Sequence, residues 1–201
     1  MRVARSSTSS RVPGASREVI PSRPLSAADR VALLGRARGA LERRLCGRRA
    51  GARLVTERLE RPGAAFVSIY SRGGALRGCR GRLHADRPLG DAVEQVAVAA
   101  ALRDPRFPPV TRDELPDVKL VVHVLTPPRV VAGPDRIELG RHGIVLTKGA
   151  ASALFLPDVA TDLGWDLPTT LAQLCRKAGL PADAWRRGAT FEVFESATAR
   201  E

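Results

Sequence analysis

The sequence predicts an α+β fold of two lobes, each built from hairpins and helices with mixed or antiparallel sheets. Three observations carry that prediction. Helical segments are interspersed with paired β-rich runs instead of alternating with single strands, which argues against a doubly wound parallel sheet. The run DVKLVVHVLTPP (117–128) is apolar on both sides of its pleat, which suggests a strand buried on both faces in the middle of a sheet. A hairpin followed by helix occurs before Asp104 and again after Gly143, which hints at an internal β-α duplication, although no repeat of individual residues accompanies it.

Taken in order, residues 1–24 are rich in Ser, Arg and Pro, show no hydrophobic period, and read as a disordered basic extension to a domain spanning 25–201. Ser26 is placed as an N-cap with Asp29 at the capping-box position, opening a helix to about Cys46 with Val31, Leu34, Leu41 and Leu45 as its apolar stripe. Gly35 and Gly39 count against that helix. AAFVSIYS (64–71) is a β-rich run and SRGG (71–74) a turn, so ALRGCRGRL returns as the second arm of a hairpin with Cys79 on it or just after it. Pro88 opens the next helix at its first turn, with Val93, Val96 or Ala97, and Ala100 facing inward. The prolines of DPRFPPV (104–110) end it. GIVL (143–146) and ASALFLP (151–157) form a second hairpin around KGA. Helices follow near Asp158–Leu163 and from about Thr169 to Ala178, the latter capped by Gly179. ATFEVFE (189–195) is a final strand.

Composition narrows the function classes. No apolar run approaches the roughly 20 residues that cross a bilayer, and the polar, Arg-rich N-terminus lacks a secretory apolar core, so a cytoplasmic protein with no membrane partner is expected. Cys46, Cys79 and Cys175 are odd in number and widely spaced, which suggests reduced thiols. Neither they nor His84, His123 and His142 make a metal-binding spacing, and no metal or cofactor is predicted. The net charge of +12 invites a nucleic-acid reading, yet only Lys119, Lys148 and Lys177 among 33 basic residues are lysine and aromatics are 4%. That pattern fits general replacement of Lys by Arg and a diffuse basic surface, with weak non-specific affinity for nucleic acid. No Walker loop, dinucleotide fingerprint, H-E-x-x-H or G-x-S-x-G occurs.

The residues that invite chemistry lie in GGALRGCRG (73–81). Gly78 and Gly81 leave backbone bare for a substrate to approach, and Arg77 and Arg80 would stabilise a Cys79 thiolate if their guanidinium groups turn towards it. The alternative is a hairpin in which glycine permits close packing and Cys79 is a small core residue. In DPRF, Asp104 and Arg106 either pair to fix a loop while Phe107 plugs the core, or present Arg106 to an anionic substrate group. His142, between Gly140 and Gly143, is a candidate general base for Cys79 or a turn cap. His123 reads as a core histidine and His84 as a weaker candidate. Trp165, Leu171 and Cys175 are assigned to the core.

The segments LRGCRG (76–81), DPRFPPV (104–110), VLTPP (124–128), GRHGIVL (140–146), LFLPDVA (154–160), GWD (164–166) and CRKAGL (175–180), in that order, resemble the AMMECR-one domain family, including the A protein of prokaryotic AmmeMemoRadiSam systems. The resemblance covers about residues 26–195. It implies a two-lobed α+β fold from related β-α repeats, a cleft between lobes near Leu76–Gly81, and association with a Memo-type protein and a radical-SAM enzyme. Two positions depart from the family pattern: Arg80 stands where Ile is usual, and Asp158 where Gln often is.

Three functional readings follow. One is an enzyme component using a Cys79-centred cleft on a small or activated substrate, with Arg77 as electrostatic partner and His142 as base. The second is a non-catalytic adaptor for the Memo-like and radical-SAM partners. The third, drawing on charge, is an RNA-binding or RNA-modification subunit.

Overall fold

A computed structural model of the chain describes residues 24–48, 51 and 53–201. The basic extension predicted over 1–24 lies outside the described residues except for Pro24. Helix α1 (Ala27–Cys46) begins with the predicted capping box: Ser26 Oγ accepts the Asp29 amide, and the Asp29 carboxylate accepts the Ser26 amide. Gly47, at φ 66°, ends the helix in the left-handed conformation that glycine adopts without strain. Its buried face differs from the predicted stripe. Leu33, Ala37 and Leu41 are fully buried, whereas Val31 is 63% exposed. In a helix this rich in Ala and Arg the apolar period has two compatible phases, and packing selects the one containing alanines.

Short α2 (Glu57–Glu60) was not legible in the sequence. The hairpin β1 (Ala64–Tyr70) and β2 (Leu76–Arg82) precedes α3 (Leu89–Leu102), where Pro88 takes the N-cap position and not the first turn. Strand β3 (Lys119–Leu125) is central, as predicted, lying between β1 and β8 (Ser196–Arg200) in an antiparallel sheet of order β2-β1-β3-β8. The second sheet contains β4 (Arg129–Val131), the hairpin β5 (Gly143–Lys148) and β6 (Ala151–Phe155), and β7 (Thr190–Phe194), in the order β4-β7-β5-β6. Helices α4 (Asp158–Asp162) and α5 (Leu167–Lys177) separate β6 from β7. All these pairings are antiparallel.

The two sheets share one plan. In each, a hairpin is followed by helix and then by a third strand antiparallel to the first: β2-β1-β3 in one, β6-β5-β7 in the other. The fourth strand comes from the other half. The chain leaves β3 to make β4 beside β7, and leaves β7 to make β8 beside β3. The two crossings touch: the Thr126 amide donates to the Glu195 carbonyl (2.9 Å), and the Glu195 amide donates to Thr126 Oγ1 (2.8 Å).

Alternation along the strands assigns the faces. Ala65, Val67 and Ile69 of β1 and Leu120, Val122 and Val124 of β3 pack with α1 and α3 in the main core. The opposite face carries Ala64, Phe66, Ser68 and Tyr70 and meets the second lobe through an apolar cluster of Ala64, Leu125, Val145 and Phe194. A separate core under α5 contains Leu174 with Leu171 and Cys175, the latter two as assigned from sequence, whereas Trp165 is only half-buried, beside Phe155. Among the described residues, no helix is long and apolar enough to cross a membrane.

Candidate functional site

Hairpin register places Cys79 directly opposite Ser68, on the sheet face turned to the second lobe. Ser68 Oγ donates to Cys79 Sγ at 3.3 Å, and Tyr70, on the same face two residues on, is hydrogen-bonded to Ser68. Burial raises the phenol of Tyr70.

The backbone of Cys79 faces outward along the sheet edge and is closed by the loop after α3. The buried Asp104 carboxylate accepts the Cys79 amide (2.9 Å), the Arg106 amide (3.1 Å), Arg106 Nε (2.9 Å) and Arg106 Nη2 (2.6 Å). These charge-assisted bonds, above all those from the Arg106 side chain, hold Asp104 well below the ordinary carboxylate range. The Asp104–Arg106 pair predicted to fix a loop therefore does so, and the loop it fixes covers an edge strand that would otherwise expose unpaired backbone. Phe107 is only half-buried and stacks under the Arg106 guanidinium at 5.3 Å.

Other expectations for the motif need correction. Arg77 is not the cation at the thiol: it donates to both carboxylate oxygens of Glu114 (3.0 and 3.2 Å) and to the carbonyls of Pro108 and Pro109. Arg80 alternates to the opposite face and is exposed. The charges acting to lower the thiol pKa are those of Arg106 and Lys177, together with the Ser68 hydrogen bond. Burial outweighs them, so the Cys79 thiol is pushed up and stays protonated at neutral pH. Nor do Gly78 and Gly81 hold backbone open for a ligand. A Cβ at Gly78 would lie 2.2 Å from the Ala100 carbonyl oxygen, and one at Gly81 2.0 Å from the Phe66 ring, so the protein's own atoms fill that space.

Lys177 is the cation that sequence reasoning missed. Its ammonium donates to the Leu154 carbonyl (2.9 Å) and sits 4.8 Å from the centre of the Phe155 ring. Lys177 is exposed as a residue, but partial desolvation of its ammonium against Phe155 and the Leu154 carbonyl lowers its pKa, while the electrostatic influence of Cys79 pulls it back up. A signal existed: in a chain that uses Arg almost everywhere, a lysine marks a place where a titratable amine differs from a permanent cation. Ser68 and Tyr70 were also missed, because they become neighbours of Cys79 only once the hairpin register is known.

His142 lies 2% exposed in the second lobe. Its Nδ1 accepts the Glu138 amide at 3.0 Å, and its Nε2 is 3.4 Å from Arg129 Nη2. Burial lowers its pKa. None of its hydrogen bonds reaches Cys79, and the Nδ1 lone pair is already occupied. His123 is the core histidine expected, 2% exposed with Nδ1 3.4 Å from Thr198 Oγ1. His84 is exposed. Asp158 approaches Arg200 (3.6 Å) and exerts an electrostatic effect on both Tyr70 and His123, which places the position that departs from the family pattern at this seam. No cluster of three metal-ligating side chains occurs among the described residues.

Comparisons with known proteins agree with this architecture. A family model described as AMMECR1 matches residues 34–199. A protein of Nanoarchaeum equitans is 42% identical over 137 residues, covering 65% of this chain and 76% of that protein. One from Methanosarcina barkeri is 41% identical over 141 residues, covering 68% and 69% respectively. The crystal structure of the uncharacterized protein PH0010 from Pyrococcus horikoshii superposes with a TM-score of 0.77 at 35% identity, over 83% of this chain and 88% of that one.

Proposed function

The chain belongs to the AMMECR1 family, and on that footing we propose that it is an enzyme component whose reacting group is the Cys79 thiol, with Lys177 in place of His142 as the group that takes its proton. The carrying observation is the opposed perturbation of the two side chains: burial raises the thiol and lowers the ammonium, and each is the other's electrostatic partner. Raising the thiol keeps Cys79 neutral at rest, and lowering the ammonium increases the share of Lys177 present as the free amine, the form able to accept the Sγ–H proton. When a substrate carbonyl enters the seam, the Sγ–H proton passes to Nζ as the S–C bond forms, and the C=O π pair moves onto the carbonyl oxygen. Ser68 Oγ–H donates to the developing sulfur anion, and Arg106 adds a second cation. The partners in this reading are a Memo-like protein and a radical-SAM enzyme, which would deliver or consume a small activated molecule.

Alkylation of Cys79 by iodoacetamide, resolved peptide by peptide over a range of pH, tests the pairing. Lys177→Met should move the Cys79 profile to higher pH by about one unit, slowing reaction roughly tenfold on the rising limb. A profile identical to that of the unsubstituted protein refutes Lys177 as the partner. The adaptor reading is favoured by the protonated thiol and by Arg77 being committed elsewhere. It requires that Cys79→Ser leave the cellular system working, and loss of that function with the fold retained rules it out.

A further inference from the structure

The crossing of the two lobes borders a second site, independent of Cys79. A cavity of about 220 Å³ lies there, lined by Thr126, Pro127, Arg129, His142, Phe194 and Glu195. His142 fixes its polarity. A backbone amide can only donate, so the bond from the Glu138 amide makes Nδ1 the unprotonated nitrogen of the ring. A charged imidazolium would set two N–H groups against each other there. The ring is therefore neutral, with its proton on Nε2.

That tautomer leaves a conflict. Nε2–H is a donor, and the neighbour 3.4 Å away is Arg129 Nη2, which is also a donor. Two N–H groups cannot satisfy each other, and a buried donor without an acceptor costs about 1–3 kcal/mol. Arg129 makes no ion pair among the described residues. Thr126 Oγ1 accepts the Glu195 amide (2.8 Å), which leaves its hydroxyl proton able to turn into the same space. The nearby carboxylates share one guanidinium, Arg141, which binds Glu195 Oε1 (3.0 Å) and Glu138 Oε2 (3.1 Å). Three donors thus border a small cavity whose one lining carboxylate, Glu195, is held to Arg141 through Oε1.

We propose that this cavity binds a small oxyanion, a phosphate or carboxylate group, whose oxygens accept from Arg129, from His142 Nε2–H and from the Thr126 hydroxyl. The guanidinium supplies charge and a two-pronged donor, the imidazole a fixed single donor, and Pro127 and Phe194 form apolar walls beside them. Because the residues come from both crossings, an occupied site would also tie the two lobes together at the point where they exchange strands.

The full chain has only three histidines, so long-range proton–nitrogen NMR of the imidazoles reads the site directly. Inorganic phosphate and acetate are titrated separately at constant ionic strength. The expected result is an Nε2–H tautomer at His142 and a saturable shift of its Nε2 resonance with one anion, while His84 and His123 stay in place. Saturation by phosphate alone identifies a phosphoryl ligand, and saturation by acetate alone a carboxylate. Arg129 is exposed, so Arg129→Met should fold, keep the tautomer and bind about tenfold or more weakly. An Nδ1–H tautomer, no saturable shift with either anion, or unchanged affinity in Arg129→Met overturns the proposal, and a cavity holding only water gives the second of these results.

Discussion

Replacing Asp104 by Asn isolates the clamp on the edge of β2. The carboxylate accepts four hydrogen bonds, from the Cys79 amide and from three nitrogens of Arg106, while its side chain is 2% exposed. An asparagine of the same shape keeps one acceptor oxygen and turns an NH2 group towards donors. Each bond to a buried charge contributes about 1.5–3 kcal/mol. The Arg106 side chain is 54% exposed and recovers much of its share from water, so its part is discounted. The remainder is the strand amide and the loop amide, of which the asparagine oxygen keeps one, so the loss is about 1.5–3 kcal/mol, or roughly 3–12 °C in Tm for a chain of this size. The pH dependence adds a second check. Asp104 is depressed in the folded state, so its contribution is complete above the unfolded value and is lost as pH falls towards the folded one. The gap between wild type and Asp104→Asn, measured by denaturant unfolding, should be flat from pH 7 to 5 and narrow by about 1 kcal/mol by pH 3, where an unfolded aspartate with pKa near 3.9 is largely protonated. A gap below about 0.5 kcal/mol at pH 7, or one that is the same at pH 7 and pH 3, refutes the clamp.

Two further substitutions probe the frame around both sites. Gly78→Ala would push a methyl group against the Ala100 carbonyl oxygen, a backbone atom that can yield only if α3 or β2 moves, and should destabilise by about 3 kcal/mol; a change within about 0.5 kcal/mol in the same unfolding assay would show that the two elements slide apart freely. Thr126→Val preserves shape but removes the acceptor of the Glu195 amide where the crossings meet, and should cost about 1 kcal/mol. Faster hydrogen exchange of that amide is the accompanying readout, and unchanged protection contradicts the bond's role.

How much of this was legible in sequence follows from the range of each interaction. The capping box at Ser26, both hairpins, the central strand β3 and the helix after Pro88 are written in local turn chemistry and periodicity, and they appear where expected. Strands β4 and β8 were not, because RVV and SATAR have no pattern of their own and become strands only by pairing with β7 and β3. Cys79 stood out because glycines frame it, but glycine signals only a missing side chain and not what occupies the space. The Ala100 carbonyl and the Phe66 ring do so here. The cations were misassigned for the same reason. Arg77 is two residues from Cys79 in the chain yet bound to Glu114, 37 residues away, whereas Lys177 comes from the other lobe.

The exchange of strands also bears on how the protein is made. Strand β3 leaves the ribosome well before β8, its partner on one flank: His123 and Thr198, which end up side by side, are 75 residues apart. At about 5–20 residues per second that interval is roughly 4–15 s. Throughout it a row of valines and leucines has an open edge, the arrangement most prone to recruiting a neighbouring nascent chain. Newly synthesised copies should therefore lean on chaperones until the final strand arrives to seal the first sheet.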